Sequence, residues 1–542
     1  MRLLPRFLPT EEEEEQRLSQ PSTEPPGDVQ SKSLPWGWPA GVAAAAAIPR
    51  LIYLFGFTNP QNAGDGFTDA YHHWQIAYLT KEIGLSHGIR LWDLRGWEYY
   101  WGLLHPALMN LLFFATGSPD IVLARLLSLV FGSLTVVLIF LLCHRYWGIK
   151  VAVASAAFAA LAPASVFNDV AGMVEPIAIA LVLFGIWLTP RRGFWAGVSW
   201  AFAAMARVEA WLFGAGLVVA WLLGKRHSGL RWPLVAGWLI PMVLYAKFLY
   251  DQTGNPIYPF AWSVRFIAFG AFDSGTGAQA GPATLQLVLV GAVLASAAGL
   301  AWSLWKRPPS YLLLVYGFGY SAHSFATFLK VDDWKERRFE FPMDFAAILV
   351  AVLLLKILPE RRWVPAPAGW AGAAAGLLAI QIFWIPIQTS CAATEPEFQH
   401  DLRMGRAVAA VYNRPEYRNG GLTVPGDRPT LVYTLVRDGG VAGGRISSEF
   451  YDPFYYLPPG YQYVDHKETA GALLKCWLAN TQTRLLLMPP SSSFNHSVAD
   501  YHAFIADHPE WFADTVAQLD PDWSLVAVQI PASASSECAR QR

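Results

Sequence analysis

The sequence is poor in charged residues. They make up only 15% of its 542 residues, whereas a soluble globular protein carries roughly a quarter. Hydrophobic residues make up 54%, so the composition is typical of an integral membrane protein. An excess of one charge is also lacking, because 40 Lys and Arg against 41 Asp and Glu leave a formal net charge of −1; this argues against a nucleic-acid-binding protein. Four cysteines are too few for a disulfide scaffold or a cysteine-rich zinc module.

Polar and apolar residues divide the chain into three regions. Residues 1–35 are acidic and rich in Pro, Ser and Gln, and we expect a disordered cytoplasmic tail. Residues 36–388 are dominated by apolar runs and form the predicted transmembrane domain, in which 58–120 is a large first outer loop. Residues 389–542 are more polar. Their β-type runs predict an extracytoplasmic α/β domain, with strands at 430–436, 484–488 and 524–530.

A helix that crosses a membrane needs about 20 mostly apolar residues. About 11 runs qualify if the stretch 193–223 is a helical hairpin: 36–57, 121–142, 149–166, 174–188, 193–206, 208–223, 232–250, 283–305, 310–328, 341–357 and 366–388. The hairpin is favoured because it keeps the later basic loops on the same, inner side as the earlier ones. The segment 102–116 is too short to span, and we expect an interfacial or re-entrant helix there. The predicted fold class is a polytopic α-helical membrane protein with about 11 transmembrane helices and an outer α/β domain.

The distribution of Lys and Arg predicts the orientation. The positive-inside rule places the N-terminus in the cytoplasm and the C-terminal domain outside, and the Ala-, Trp- and Pro-rich composition favours a bacterial plasma membrane. One outer loop breaks this rule, since residues 329–341 carry Lys335, Arg337 and Arg338. Basic residues kept on the outer side indicate binding of an anionic group there. The alternative is that acids in the same loop neutralise them.

Two aspartates follow the first span. Either Asp65 or Asp69 could take a proton from an incoming hydroxyl group, which is the work of a general base. The alternative is structural: Asp69 would cap an amphipathic surface helix over 69–83, and Asp65 would occupy a turn. The adjacent His72 and His73 point about 100° apart on a helix, so we expect packing rather than chelation of a metal.

The second outer loop and the hairpin supply further charges. Asp169 and Glu175 flank this loop, and a carboxylate at the start of a spanning helix is costly unless it faces a cavity or a cation. A helix N-terminus, however, favours an acid in any case. Arg207 lies at the turn of the predicted hairpin. Acids and bases grouped at one membrane face suit a lipid with an anionic headgroup, because Arg binds phosphate while a nearby carboxylate activates an acceptor.

From about residue 36 to 390 the chain resembles the GT-C superfamily of integral-membrane glycosyltransferases, which use polyprenyl-phosphate-linked sugars. The likeness lies in the order of the acidic loop after the first span and the segments GLLHPALMNLLFFATG, ARLLSLVFGS, LAPASVFND, VEPIAIALVLFGIWL, AMARVEAWL and FLYDQTGNPIYP. The segment WKERRFEFP is similar to the basic loop of dolichyl-phosphate-mannose-dependent mannosyltransferases.

The resemblance implies an inverting, single-step transfer of a sugar to an acceptor hydroxyl at the outer face of the membrane. Asp69, or else Asp65, would be the catalytic base. The donor phosphate would be bound by Lys335, Arg337, Arg338 and Arg207. The partners implied are the polyprenyl-phosphate-linked donor, membrane lipid and an acceptor that is a protein, a lipid or a polysaccharide. The enzyme type favoured is a mannosyltransferase or an aminoarabinose transferase.

Two alternatives stay open. DAYHHW and AGMVEPIAI are similar to the acidic motifs of oligosaccharyltransferases, which would imply a divalent cation, Mg or Mn, held by Asp69, Asp169 and Glu175. The Trp-Trp-Asp signature of that branch is absent from the sequence, and no other cofactor is implied. A non-enzymatic transporter or flippase of lipid-linked sugars would also need basic residues near a headgroup, but the internal repeats common in transporters are not evident.

Overall fold

The computed structural model describes residues 34–58, 68–94, 99–224, 232–269, 283–330, 340–424, 428–448, 478–488, 505–520 and 522–534. Most of the predicted acidic tail lies outside these ranges. Four of the predicted site residues also lie outside them: Asp65, Lys335, Arg337 and Arg338.

The membrane part is helical, since a backbone in hydrocarbon must satisfy its own polar groups. Its helices are α1 (Gly37–Ile52, continued by a π-helical turn, Tyr53–Phe57), α2 (Thr68–Glu82), α3 (Leu104–Thr116), α4 (Val122–Trp147), α5 (Ile149–Leu161), α6 (Pro163–Val170), α7 (Glu175–Leu188), α8 (Gly193–Ala206), α9 (Glu209–Gly224), α10 (Trp232–Thr253), α11 (Tyr258–Phe269), α12 (Ala283–Lys306), α13 (Tyr311–Lys330) and α14 (Glu340–Val352, continued by further turns to Glu360).

Each run predicted to span the membrane contains a helix. Within the described ranges, six helices are long and apolar enough to cross: Gly37–Phe57, Val122–Trp147, Trp232–Thr253, Gln286–Lys306, Glu340–Glu360 and Ala366–Tyr412. The pair α5 and α6, bent by 57°, makes a seventh if it counts as one broken span. The helices α7, α8 and α9 have 14 to 16 residues, which at 1.5 Å per residue is roughly 21–24 Å, short of a hydrocarbon core of about 30 Å. A polytopic helical membrane protein is confirmed, but a count of eleven spans is not.

The predicted hairpin within 193–223 is confirmed. Helix α8 ends at Ala206 and α9 begins at Glu209. Between them Arg207 has an extended backbone, with φ −142° and ψ 136°. This break sets the Arg207 side chain at the ends of two apolar helices.

Helix α2 departs from its predicted position. The sequence predicts an amphipathic helix on the membrane surface over 69–83, whereas every residue from 70 to 80 is buried. The reason is that Tyr71, Trp74 and Tyr78 belong to one core with α3 and with the C-terminal domain. The helix is therefore packed inside the protein, which fixes the residues of its first turn.

A continuous helical run joins the membrane part to the C-terminal domain. Helices α15 (Ala366–Ile380) and α16 (Trp384–Tyr412) are linked by a 3₁₀ turn, so the domain boundary predicted at 388/389 falls within a run of 47 residues. At 1.5 Å per residue this run is about 70 Å long, more than twice the thickness of a hydrocarbon core. Its second half packs against the C-terminal domain through Phe398, Leu402 and Val408.

The C-terminal domain contains a five-stranded sheet. The strands are β1 (Gly421–Val424), β2 (Ile446–Ser448), β3 (Thr483–Met488), β4 (Phe512–Asp520) and β5 (Trp523–Val528), in the order β2-β1-β3-β5-β4. Strand β1 is parallel to β2 and β3, while β5 is antiparallel to β3 and β4. The predicted α/β domain is therefore confirmed, and β3 and β5 match the strands predicted at 484–488 and 524–530.

The third predicted strand is wrong, because residues 430–436 lie in helix α17 (Pro429–Arg437). Pro429 suits the first turn of a helix, where its missing N–H costs nothing. The apolar residues Leu431, Val432, Leu435 and Val436 follow helical spacing rather than alternation, and all four are buried. Helix α17 crosses from β1 to the parallel strand β2, and it packs on α2 in the same core.

Candidate functional site

A cavity lies between the ends of three helices. Its lining comes from α7, from the break before α9 with the first turns of α9, and from α13: Glu175, Ala178, Ile179, Val182, Arg207, Glu209, Ala210, Phe213, Tyr316, Tyr320, His323 and Ser324. Two of the predicted site residues, Glu175 and Arg207, therefore line one cavity.

A charged triad forms the polar end of this cavity. Arg207 Nη2 donates to Glu209 Oε1 at 2.9 Å, and its Nη1 lies 3.5 Å from Glu175 Oε1. Both glutamates stand in the first turns of their helices, where the helix dipole favours an acid. Glu175 is only 6% exposed, and its second oxygen, Oε2, has no hydrogen-bond partner among the described residues.

The segment before Glu175 is fixed by α4. Arg125 Nε donates to the carbonyl of Val170 at 2.6 Å, and Ser128 Oγ donates to the carbonyl of Met173 at 2.6 Å. Gly172 between them has φ +86°, a conformation that glycine adopts without steric cost. Helix α7 can then begin at Glu175 with Pro176 in its first turn. These contacts hold the Glu175 carboxylate at the cavity.

Helix α2 brings the predicted base close to the cavity. Asp69 lies in its first turn and His73 one turn later, on the same face. His73 is buried and lies within electrostatic range of both Asp69 and Arg207. Burial, together with the neighbouring His105, holds the pKa of His73 well below its usual value, so this imidazole is neutral at pH 7.

Two further histidines surround this region. Burial also lowers the pKa of His105, to about 4, and its ring centroid lies 5.3 Å from that of His73. His72 faces another way: its Nε2 lies 2.6 Å from Asp93 Oδ2. His72 thus pairs with Asp93 and His73 packs against His105, while both rings also contact Trp101.

Asp169 belongs to a second, closed cluster. Its Oδ2 accepts from Arg50 Nε at 2.7 Å and lies 2.6 Å from Arg50 Nη2, and both side chains are at most 1% exposed. A side chain at Gly132 would collide with this carboxylate, so the glycine makes room for it. Glu340 lies within electrostatic range of Asp169, and Ser165 Oγ donates to Asp344 Oδ1 at 3.1 Å.

The sequence did not single out Glu340 or Asp344 as site residues. A signal was available, because they lie four residues apart at the start of an apolar run and so share one helix face. Ser165 and Asp169 have the same spacing on α6. The two pairs join α6 to α14, the helix that follows the predicted basic loop.

The metal set that the resemblance to oligosaccharyltransferases implies does not fit this geometry. Asp169 is turned onto Arg50, and Glu175 onto Arg207. In the ranges that the structure describes, no three His, Cys, Asp or Glu side chains converge where one metal ion could bind. Asp69, Asp169 and Glu175 therefore do not form one set of metal ligands.

Neither a protein-family model nor a curated protein matches the sequence. Among solved structures, the chain is similar to ArnT from Cupriavidus metallidurans bound to undecaprenyl phosphate, with 17% identity, a TM-score of 0.44 and coverage of 93% of this chain and 99% of that one. It is also similar to the oligosaccharyltransferase AglB from Archaeoglobus fulgidus in complex with an inhibitory peptide and a dolichol-phosphate, with 12% identity, a TM-score of 0.43 and coverage of 92% and 74%. Likeness of this size assigns no activity or residue role to this chain.

Proposed function

We propose that the protein is an inverting glycosyltransferase that moves a sugar from a polyprenyl-phosphate-linked donor to an acceptor hydroxyl at the outer face of the membrane. The observation that carries the proposal is the cavity at the ends of apolar helices, whose polar end Arg207 forms with Glu175 and Glu209. Asp69 stands one turn before His73 on α2, and His73 interacts electrostatically with both Asp69 and Arg207. A carboxylate able to act as base thus neighbours a polar cavity at the ends of apolar helices. A water-soluble substrate would not require such a site among membrane helices, whereas a lipid-linked one would.

In the proposed reaction Asp69 accepts the proton of the acceptor hydroxyl as the acceptor oxygen attacks the anomeric carbon. The bond between this carbon and the phosphate oxygen breaks, and its electron pair leaves on the phosphate. The products are a glycosylated acceptor with inverted configuration and a polyprenyl phosphate.

The phosphate is assigned to the loop that contains Lys335, Arg337 and Arg338. Charge that develops on the phosphate as it leaves is stabilised best by cations already in place, which lowers the barrier rather than only tightening binding. Helix α13 lines the cavity and ends at Lys330, directly before this loop in the chain. Lipids retained by the purified protein, analysed by mass spectrometry, test this part: a polyprenyl phosphate present in the wild type should be lost in Arg337→Ala/Arg338→Ala.

The chemistry is tested with membranes that contain the full chain, supplied with radiolabelled polyprenyl-phosphate mannose, glucose or aminoarabinose. We expect label to move from the lipid donor to an acceptor fraction and polyprenyl phosphate to appear. Asp69→Asn should lower this rate by a factor of 100 or more at equal expression, since it removes the base. Glu360→Gln, an exposed acid far along α14, is the matched control and should keep the full rate.

Two results would overturn the proposal. In one, no donor of the panel is cleaved; in the other, Asp69→Asn transfers sugar as fast as the wild type. Movement of intact labelled donor across the bilayer of proteoliposomes, unaffected by Asp69→Asn, would instead establish a flippase.

A further inference from the structure

The cavity has two chemically different ends. Charged and polar side chains, Glu175, Arg207 and Glu209, line one end, while Ala178, Ile179 and Val182 on α7 line the other. Aromatic rings from α9 and α13 form the opposite wall. Pockets of this kind, mostly apolar with a few placed polar groups, bind small molecules or parts of them.

The charge of the polar end argues against phosphate. One guanidinium, that of Arg207, already faces two carboxylates, those of Glu175 and Glu209. A phosphate that approached Arg207 would meet both carboxylates at close range, and like charges within a few ångströms repel strongly where water is scarce. Arg207 therefore holds the two carboxylates in place rather than binding the donor phosphate as the resemblance implies.

The free oxygen of Glu175 identifies the kind of ligand. Arg207 engages Oε1, which leaves Oε2 buried in the wall of the cavity without a partner among the described residues. A buried polar atom left unpaired costs roughly 1–3 kcal/mol, and more if charged. An ionised carboxylate can only accept hydrogen bonds, so the matching ligand group is a donor such as a hydroxyl.

The aromatic wall suits the face of a ring. Phe213 and Tyr320 stack with centroids 5.2 Å apart, and Tyr316 meets Phe213 edge-on at 5.7 Å. His323 lies against the same phenylalanine, with centroids 5.8 Å apart. This wall offers apolar contact opposite the carboxylates, which matches a molecule with hydroxyl groups at its edge and C–H bonds on its face.

We propose that this cavity is a subsite for a sugar ring without an anionic group, in which Glu175 Oε2 accepts a hydrogen bond from one ring hydroxyl and Phe213 and Tyr320 contact the ring face. Arg207 is a positioning residue that orients Glu175. The identification of this ring as the sugar of the lipid-linked donor rests on the proposed function. The preference for hydroxyl donors over anions rests on the cavity alone.

Equilibrium binding to the full chain in lipid nanodiscs, followed by saturation-transfer NMR, tests the subsite without turnover. The probes are a panel of neutral methyl glycopyranosides, the anionic methyl glucuronide, and farnesyl phosphate as a phosphate probe. We expect at least one neutral glycoside to bind, and Glu175→Gln to weaken it at least tenfold. Farnesyl phosphate should bind Glu175→Gln as it binds the wild type, which also shows that the variant is folded.

A matched control and a steric variant sharpen the test. Glu360→Gln, at the exposed end of α14, should leave all affinities unchanged. Ala178→Leu fills the cavity wall without altering charge, and should also weaken the glycoside but not farnesyl phosphate. Weaker binding of farnesyl phosphate in Ala178→Leu, with glycoside binding retained, would assign the cavity to phosphate and overturn the proposal.

The remaining outcomes separate this proposal from the proposed function. If no glycoside of the panel binds the wild type, the subsite is refuted whatever the transfer assay shows. If a glycoside binds and depends on Glu175 while no lipid-linked donor is cleaved, the subsite stands and the glycosyltransferase does not. Binding of methyl glucuronide as tight as that of the neutral glycoside would contradict the charge argument.

Discussion

Replacing Arg50 by Met should be among the most damaging single changes in the membrane part. Besides Asp169, its guanidinium reaches three carbonyls: Nη1 donates to Ala46 at 2.8 Å and to Ala160 at 3.2 Å, and Nη2 donates to Ala159 at 3.2 Å. The last two belong to the final turn of α5, whose carbonyls have no partner within the helix. Arg50 thus neutralises a buried carboxylate and caps a helix at once.

The expected loss follows from this burial. Removing one partner of a fully buried ion pair costs about 3–5 kcal/mol, because the other charge stays behind without compensation. Met fills much of the same volume, so little of the loss arises from packing. The double variant Arg50→Met/Asp169→Leu removes both charges, and should be less destabilised than Arg50→Met alone.

The assay is the free energy of unfolding of the purified protein in mixed micelles, measured for the wild type, both single variants and the double variant. Arg145→Met is the control, because Arg145 is partly buried and its Nη1 donates to the carbonyl of Trp187 at 2.9 Å; we expect a loss of about 1 kcal/mol. Additive losses in the double variant, or an Arg50→Met protein as stable as the control, would refute the assignment of a coupled buried pair.

Three further predictions use the same measurement of unfolding. Gly132→Ala should destabilise the protein because its methyl group collides with the Asp169 carboxylate, whereas Gly216→Ala, with open space around it, should be neutral or slightly stabilising. The pKa of His105 is lowered from 6.5 to about 4, so the unfolded chain binds the proton more readily, and stability should fall as pH drops from 6.5 to 4; His105→Gln should reduce this slope. Asp120→Ala should cost about 1–2 kcal/mol, since Asp120 Oδ1 accepts from the Val122 N–H at 2.9 Å and its Oδ2 from Arg437 Nε at 2.9 Å. An unchanged free energy of unfolding in Gly132→Ala or Asp120→Ala, or an unchanged pH slope in His105→Gln, would contradict the corresponding prediction.

The helices of the membrane part could be predicted because each is encoded by a continuous apolar run. The hairpin followed from the length of 193–223 and the sides of the basic loops, and the structure confirms its break at Arg207. Counting spans failed for a physical reason. A helix of 14 residues such as α7 is buried by its neighbours on nearly all sides, so it needs neither the length nor the exposure of a lipid-facing span.

The wrong predictions for helix α2 and for residues 430–436 have a different cause. Helix α2 contains charged and polar residues, including His72 and Gln75, and these predict a helix on the membrane surface. Both side chains are instead buried, with Asp93 as their common partner. Asp93 lies outside α2, so no pattern within the helix reveals the pairing. The β-branched and apolar residues of 430–436 predict a strand. The structure has a helix there, because Leu431 and Leu435 pack into the core that α2 shares with the C-terminal domain.

Several residues of the candidate site could be predicted from the sequence, but not that they form two separate clusters. Sequence reasoning treated Asp169 and Glu175 as one acidic motif, since six positions separate them at one end of a span. The structure turns them apart: a turn at Ala171 and Gly172, with Gly172 at φ +86°, lies between them. Each carboxylate then meets a different arginine, Arg50 or Arg207, and those arginines are themselves far apart in the sequence.

The two ion pairs differ in a way that decides their roles. Arg50 and Asp169 are closed off from solvent, and the remaining N–H groups of the guanidinium go to helix carbonyls, so this pair has no room for a ligand. The pair of Arg207 and Glu175 opens on a cavity, and one carboxylate oxygen is left over. Asp169 Oδ1 also lacks a hydrogen-bond partner among the described residues, so the two pairs differ in access rather than in unused acceptors: Glu175 lines the cavity, whereas Asp169 does not. Asp169→Asn should therefore be detected first as a lower free energy of unfolding, and Glu175→Gln as weaker binding of a sugar at nearly unchanged stability.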